Sequence, residues 1–292
     1  MTTRTRGRTR VYLLVLAATL LWPLQEAFGG LLMQNHHAAQ VVALRYIAHL
    51  ILLAAFVLPR SGPGAFSTSR PGLQLLRGLC MFGMPAGFIL AVGGAAIGWV
   101  WAVFWLMPAM ALAGGMLLSE RPALHAWVAV LAAPFAAAAI WEAVPGGVAG
   151  TAAALLMGGS FAGYVVLSRV LRTEKLSASL FYTAIGALVP MCLFVWKVWT
   201  PVLATDIVPA LITGLISVMV LGAFDLAAES APVAEFAPLI PLVLVWELLL
   251  GSLQHGRPMF TADVAGMLLV LAGTLVFVAR QRMQLRVERE VA

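Results

Sequence analysis

The chain reads as an all-α polytopic membrane protein of ten helices in two inverted repeats of five. Three observations carry that reading: apolar runs follow one another from Val11 to Ala279, charges are too few to clothe a water-facing surface, and the cations keep to one side. A helix rises roughly 1.5 Å per residue, so about 20 apolar residues cross a hydrocarbon core roughly 30 Å thick. Of the 292 residues 62% are hydrophobic and 10% charged, with a mean hydropathy of +0.97. A soluble fold of this size needs many more ionisable groups on its surface, so this surface faces lipid.

In chain order the predicted spans are Val11–Met33, Ala39–Leu58, Gly72–Gly94, Ile97–Leu118, Ala123–Trp141, Val148–Val170, Ser177–Trp196, Ile207–Ala228, Pro232–Leu250 and Phe260–Ala279. The first follows a basic start and resembles a signal peptide up to Trp22. Cleavage is rejected because nine further spans need the first to set their orientation. The segment 72–118 is too long for one helix and is divided at Gly93-Gly94-Ala95-Ala96, where glycines weaken the pattern. Gly and Pro inside other spans do not count against them, since membrane helices carry more of both.

The charges orient the bundle. A pI near 10.0 would suit nucleic-acid binding if the cations shared one solvent-exposed face, but they are distributed by membrane side. Arg4, Arg6, Arg8 and Arg10 precede the first span; Arg60, Arg70 and Arg77 flank the second connection; Arg121 follows the fourth span. Arg169, Arg172 and Lys175 separate spans six and seven, and Arg280, Arg282, Arg286 and Arg289 follow the last. With ten spans all of these fall on one side, and the other receives only Lys197 and Arg257. The positive-inside rule then predicts both termini in the cytoplasm, whereas nine or eleven spans would scatter the cations. Cys80 and Cys192 stand alone without ligand-spaced partners and predict neither a disulfide nor a metal site.

The ends of the two halves, residues 1–144 and 145–292, match. Phe104-Trp-Leu-Met-Pro108, an apolar helix and Ser119-Glu120-Arg121-Pro122 correspond to Phe236-Ala-Pro238-Leu-Ile-Pro241, an apolar helix and Gly256-Arg257-Pro258, about 130 to 136 residues later. Five spans per copy is an odd number, so the copies must be inverted in the bilayer, a construction common in secondary transporters.

Leu20-Leu21-Trp22, Ala43-Leu44-Arg45-Tyr46, the Pro108–Leu118 helix with its Ser119-Glu120-Arg121-Pro122 end, and Ala231-Pro232 before Pro238 and Pro241 resemble the drug/metabolite transporter superfamily, in particular its ten-span EamA-type exporters. Relatives usually carry Gly where this chain has Ser119, and Gly-Glu where it reads Gly251-Ser252. The resemblance implies a monomeric or loosely dimeric carrier in a bacterial cytoplasmic membrane that exports small metabolites, often amino acids or their derivatives, without a cofactor. Small multidrug resistance proteins, distant four-span members of the superfamily, use a first-span carboxylate for proton coupling. That position aligns nearer Trp22 than Glu26.

Ionisable residues inside lipid cost several kcal/mol and ask for a reason. Glu26 lies about 15 residues into span one and Arg45 about 6 residues into the returning span, so both reach similar depth. They are read either as a site for a zwitterion or a coupling proton, or as a structural ion pair. Asp225 and Glu229 share a face near the end of span eight and read as a solvated helix end or a gate. Glu247 beside Trp246 has the same ambiguity, and a lone His49 reads as a hydrogen-bonded packing residue. Trp101 and Trp105 share a helix face; with Trp22, Phe161, Tyr164 and Tyr182 they are candidates to line a cavity for an apolar or cationic group. Trp99 and Trp127 read as an interfacial belt. Glycine pairs at 93–94, 114–115, 146–147 and 158–159 predict close helix crossings.

No Walker-type sequence is present, so transport would draw on an ion gradient, with protons the candidate ion, or on the cargo's own gradient. Loops of about 2 to 13 residues carry no Asp, His or Cys cluster, which disfavours a lipid-modifying enzyme. A lipid-linked-sugar flippase is the alternative within the superfamily. A channel would need a filter loop or charge ring.

Overall fold

The computed structural model of the chain describes residues 3–256 and 258–291, with side chains for 7–254, 256 and 258–284. Arg257 lies outside the described residues, as do the side chains of Arg4, Arg6, Arg286 and Arg289. The helices are α1 (Thr3–Met33), α2 (Ala38–Ser61), α3 (Pro71–Val92), α4 (Ile97–Phe104), α5 (Met107–Met116), α6 (Leu124–Ile140), α7 (Val148–Val170), α8 (Leu176–Val195), α9 (Ala204–Ser230), α10 (Val233–Phe236), α11 (Leu242–His255) and α12 (Thr261–Val291). Among the described residues nine segments are long and apolar enough to cross a membrane, and α6 is a shorter apolar helix of 17 residues. The chain is an all-helical polytopic membrane protein.

Local chemistry sets the helix ends. The ring of His37 accepts from the Ala39 N–H at 3.2 Å to start α2, and Gly62, at φ +64°, ends it. Asp206 accepts from the Leu203 N–H at 2.7 Å at the start of α9. Ser119 holds a left-handed φ of +63° after α5, a conformation that glycine adopts without the Cβ penalty. Two apolar segments are interrupted: Trp105 and Leu106 separate α4 from α5 just before Pro108, and a turn containing Pro238 separates α10 from α11.

The helices pack as α1 on α9 and α3 on α7, α2 on α9 and α3 on α8, α4 and α5 on α7, α11 on α1, α2 on α8, and α6 on α12. Close crossings also use glycines outside the expected pairs. A Cβ on Gly78 would lie 2.7 Å from the Gly186 Cα, and one on Gly214 would lie 2.9 Å from the His49 nitrogen. Of the expected pairs, Gly94, Gly146, Gly147 and Gly158 meet neighbouring backbone, whereas Gly159 has nothing within 4 Å.

Bonds between connections identify two faces. On the basic face Arg8 donates to Glu235 at 2.9 Å, Lys175 to the Gly64 carbonyl at 2.9 Å, and Arg169 to the Ala228 carbonyl at 2.7 Å. Glu120 accepts from the Ala234 N–H at 3.1 Å, with Arg169 3.6 Å away. Glu174 accepts from the hydroxyls of Ser69 and Thr68, which hold its carboxyl below the usual 4.5. On the opposite face His36 meets Thr200 at 2.6 Å and Asp206 at 3.0 Å, while Gln40 donates to the Thr200 carbonyl at 2.7 Å and accepts its N–H at 2.8 Å.

Candidate functional site

Helical spacing builds a cavity in the half of the bundle nearer the opposite face. Trp22, Gln25, Glu26 and Gly29 fall on one face of α1, and Met84, Pro85, Phe88 and Ile89 on one face of α3. Arg45 enters from α2, Thr213 from α9 and Glu247 from α11, and the interruption after α4 leaves Trp101, Phe104 and Trp105 on the wall. The cavity volume is about 310 Å³, at the lower end of the range for small-molecule sites.

Three charged side chains line this space. Arg45 Nη1 lies 3.9 Å from Glu26 Oε1, beyond hydrogen-bonding distance, and 48% of the Glu26 side chain is exposed. The Arg45 guanidinium carbon sits 5.2 Å from the centre of the Tyr46 ring, and its buried Nε has no hydrogen-bond partner among the described residues. Glu247 has neither an ion pair nor a hydrogen bond among the described residues. Trp105 is 1% exposed, and its indole N–H is likewise without an acceptor. The wall therefore offers two carboxylates, a guanidinium and an indole donor among aromatic rings, which matches an ammonium or zwitterion with an apolar body.

Trp22 forms the floor and lies 4.8 Å from Phe161, which lies 5.7 Å from Phe224 in the layer beneath. Below it, nearer the basic face, stands a polar cluster. Arg77, 1% exposed, donates to Asp225 Oδ1 at 2.8 Å, to Ser168 Oγ at 3.3 Å, to Thr183 Oγ1 at 2.8 Å and to the Ser179 carbonyl. Asp225 Oδ1 also accepts from Ser168 at 2.7 Å and Tyr164 at 3.2 Å, and the guanidinium carbon lies 5.4 Å from the centre of the Tyr164 ring. The space left beside this cluster is about 20 Å³. Arg77 Nε and Asp225 Oδ2 remain buried without hydrogen-bond partners among the described residues. The pair is thus strong in charge and incomplete in bonding.

The structure gathers Glu26, Arg45, Trp22, Trp101, Trp105 and Glu247 around the cavity, with Phe161 under its floor. Other expectations are corrected. Tyr164 and Asp225 belong to the cluster below, and Asp225 is 9% exposed, not a solvated helix end. Glu229, one turn later, is the exposed member of that pair. Tyr182 lines neither cavity: α8 meets α3 through Gly186 and Gly78, and the Tyr182 ring packs edge-on against Phe181. Trp99 is half-buried and donates to Thr151 at 2.8 Å, so it ties α4 to α7 as well as lying near a helix end. Arg77, read from sequence as a loop-flanking cation, is the buried partner of Asp225. The signal that could have found it is depth: it stands six residues inside α3, or roughly 9 Å. His49 is buried, 3.4 Å from Ser217 Oγ. Among the described residues no three His, Cys, Asp or Glu side chains form a metal-holding group.

No family model matches the chain, and no curated protein matches its sequence. Among solved structures 27 chains match. One, described only as "Crystal structure of protein", superposes with a TM-score of 0.80 at 18% identity, over 94% of this chain and 99% of its own. The helical fold is thus one already seen in a solved structure along almost its entire length.

Proposed function

We propose that the chain is a secondary transporter that moves small amphipathic metabolites, amino-acid-like or cationic, across a bacterial cytoplasmic membrane by alternating access. In this reading it has ten spans, α6 included, in two inverted five-helix repeats, and belongs with the EamA-type exporters of the drug/metabolite transporter superfamily. Support for the repeats comes from the packing. Exchanging the first five spans for the last five turns α1 on α9 into α7 on α3, and α3 on α8 into α9 on α2, while α2 on α8 and α6 on α12 map onto themselves. The interrupted segments α4–α5 and α10–α11 also exchange, as expected where half-helices bound a site near the midplane.

The observation that carries the reading is one-sidedness. A cavity of about 310 Å³ lies toward one face, while the other side is sealed by the Arg77–Asp225 cluster with about 20 Å³ left. That is the arrangement expected of a carrier resting open to one side, and with the basic face read as cytoplasmic that side is the exterior. The test is efflux of labelled amino acids and cationic amphiphiles from inside-out and right-side-out vesicles, with and without an imposed pH gradient. Cargo-specific flux that falls in Glu26→Gln supports the reading. Absence of flux for every cargo contradicts it and favours a flippase for lipid-linked sugars, assayed with a labelled lipid.

A further inference from the structure

Glu247 stands where two cavities meet. On one side it lines the central cavity with Glu26, Arg45 and Trp105. On the other it lines a second cavity of about 240 Å³, bounded by Leu248, Gly251, Ser252, Pro258, Met259 and Asp263 between the end of α11 and the start of α12. These helix ends lie on the face opposite the basic one. Among the described residues the charged groups that line these cavities with Glu247 are Glu26 from α1, Arg45 from α2 across the central cavity, and Asp263 from α12. Arg45 stands 3.9 Å from Glu26, and among the described residues no cation forms an ion pair with Glu247.

A carboxylate at membrane depth without a cation is neutralised by a proton or by a cationic ligand. The central cavity offers Glu247 to cargo, and the second cavity reaches the same carboxylate from a different direction along the oxygen-bearing side chains of Ser252 and Asp263. Resting on the carrier reading above, we propose that Glu247 is its proton-binding carboxylate, loaded from the face opposite the basic one through the α11–α12 cavity. Uptake of one proton converts the carboxylate to the neutral acid and removes the charge that a cationic cargo group would seek. Release of that proton restores it. Proton and cargo therefore compete for one group, which is the requirement for exchange of one against the other.

The test uses the full chain in nanodiscs and infrared difference spectra between alkaline and acidic buffer, with the proton itself as the probe. The carboxylic-acid carbonyl band is expected in the wild type, in Glu26→Gln and in Glu247→Asp, and is expected to be lost in Glu247→Gln. Ser252→Trp, which fills the second cavity, is expected to slow the appearance of the band after an acid jump. A band that survives Glu247→Gln, or an unchanged rate in Ser252→Trp, overturns the proposal. In liposomes that carry flux, Glu247→Gln is expected to lose the response to a pH gradient. A wild type without flux defeats the carrier reading, while the infrared arm still decides whether Glu247 takes the proton.

Discussion

The two depths of the bundle use similar helix crossings to opposite ends. Toward the basic face α3 crosses α8 at Gly78, and the residue before that glycine is Arg77, whose guanidinium meets Asp225 at 2.8 Å. Toward the opposite face α9 crosses α2 at Gly214, and the residue before it is Thr213, which borders the open cavity. A long cation beside a crossing finds an acid on the next helix and fills the space, and a short hydroxyl leaves it empty. The lesson is that one-sidedness can be built from single residues placed beside similar helix crossings.

The sealing pair is the place to break this contrast. Arg77→Ala leaves the Asp225 carboxylate buried and uncompensated, which is expected to cost about 3–5 kcal/mol, read as a lower unfolding temperature of the purified protein. Replacing both partners, Arg77→Met with Asp225→Leu, is expected to recover most of that loss, because a well-packed apolar pair substitutes for a buried ion pair. The next effect lies in the crossings. Gly78→Ala would drive a Cβ to 2.6 Å from the Tyr182 carbonyl and is expected to cost about 1–3 kcal/mol. Gly159→Ala, with nothing within 4 Å, is expected to change stability by less than about 0.5 kcal/mol in the same assay.

The cavity pair sharpens the contrast from the other side. Glu26 is half-exposed and 3.9 Å from Arg45, so Glu26→Gln is expected to shift stability by less than about 1 kcal/mol while lowering flux. Equal destabilisation by Glu26→Gln and Asp225→Asn would erase the distinction between an open site and a seal. Ser119→Gly, which relieves a left-handed φ of +63°, is expected to stabilise by up to about 1 kcal/mol in thermal unfolding.

Much of the frame was legible because apolar length is a direct physical requirement of lipid. The division at Gly93-Gly94-Ala95-Ala96 falls where α3 ends and α4 begins, and the internal helix ends match to within about five residues, whereas α1 begins at Thr3 rather than Val11 and α12 runs to Val291 rather than Ala279. Depth counting also brought Glu26 and Arg45 together across the turn between α1 and α2. Arg77 was misread because a cation near a helix end satisfies the positive-inside pattern whether it faces water or an acid, and only the position of α9 distinguishes these cases. Tyr182 was misplaced because helical equivalence does not say which face of α8 turns inward. The crossings at Gly78, Gly186 and Gly214 are single glycines, which doublet counting passes over. The one-sidedness itself is a property of a conformation, which hydropathy does not encode.

The most direct measurement is side-specific labelling with an impermeant thiol reagent, in a background with Cys80→Ser and Cys192→Ser and a single cysteine at Val42→Cys in the cavity wall or Ser179→Cys beside the Arg77 cluster. The account predicts that Val42→Cys reacts only from the face opposite the basic one while Ser179→Cys is protected, and that Asp225→Asn slows the first and admits reagent to the second from the basic face. Reaction of both cysteines at once, each from its own side, or a pattern untouched by Asp225→Asn, would contradict it.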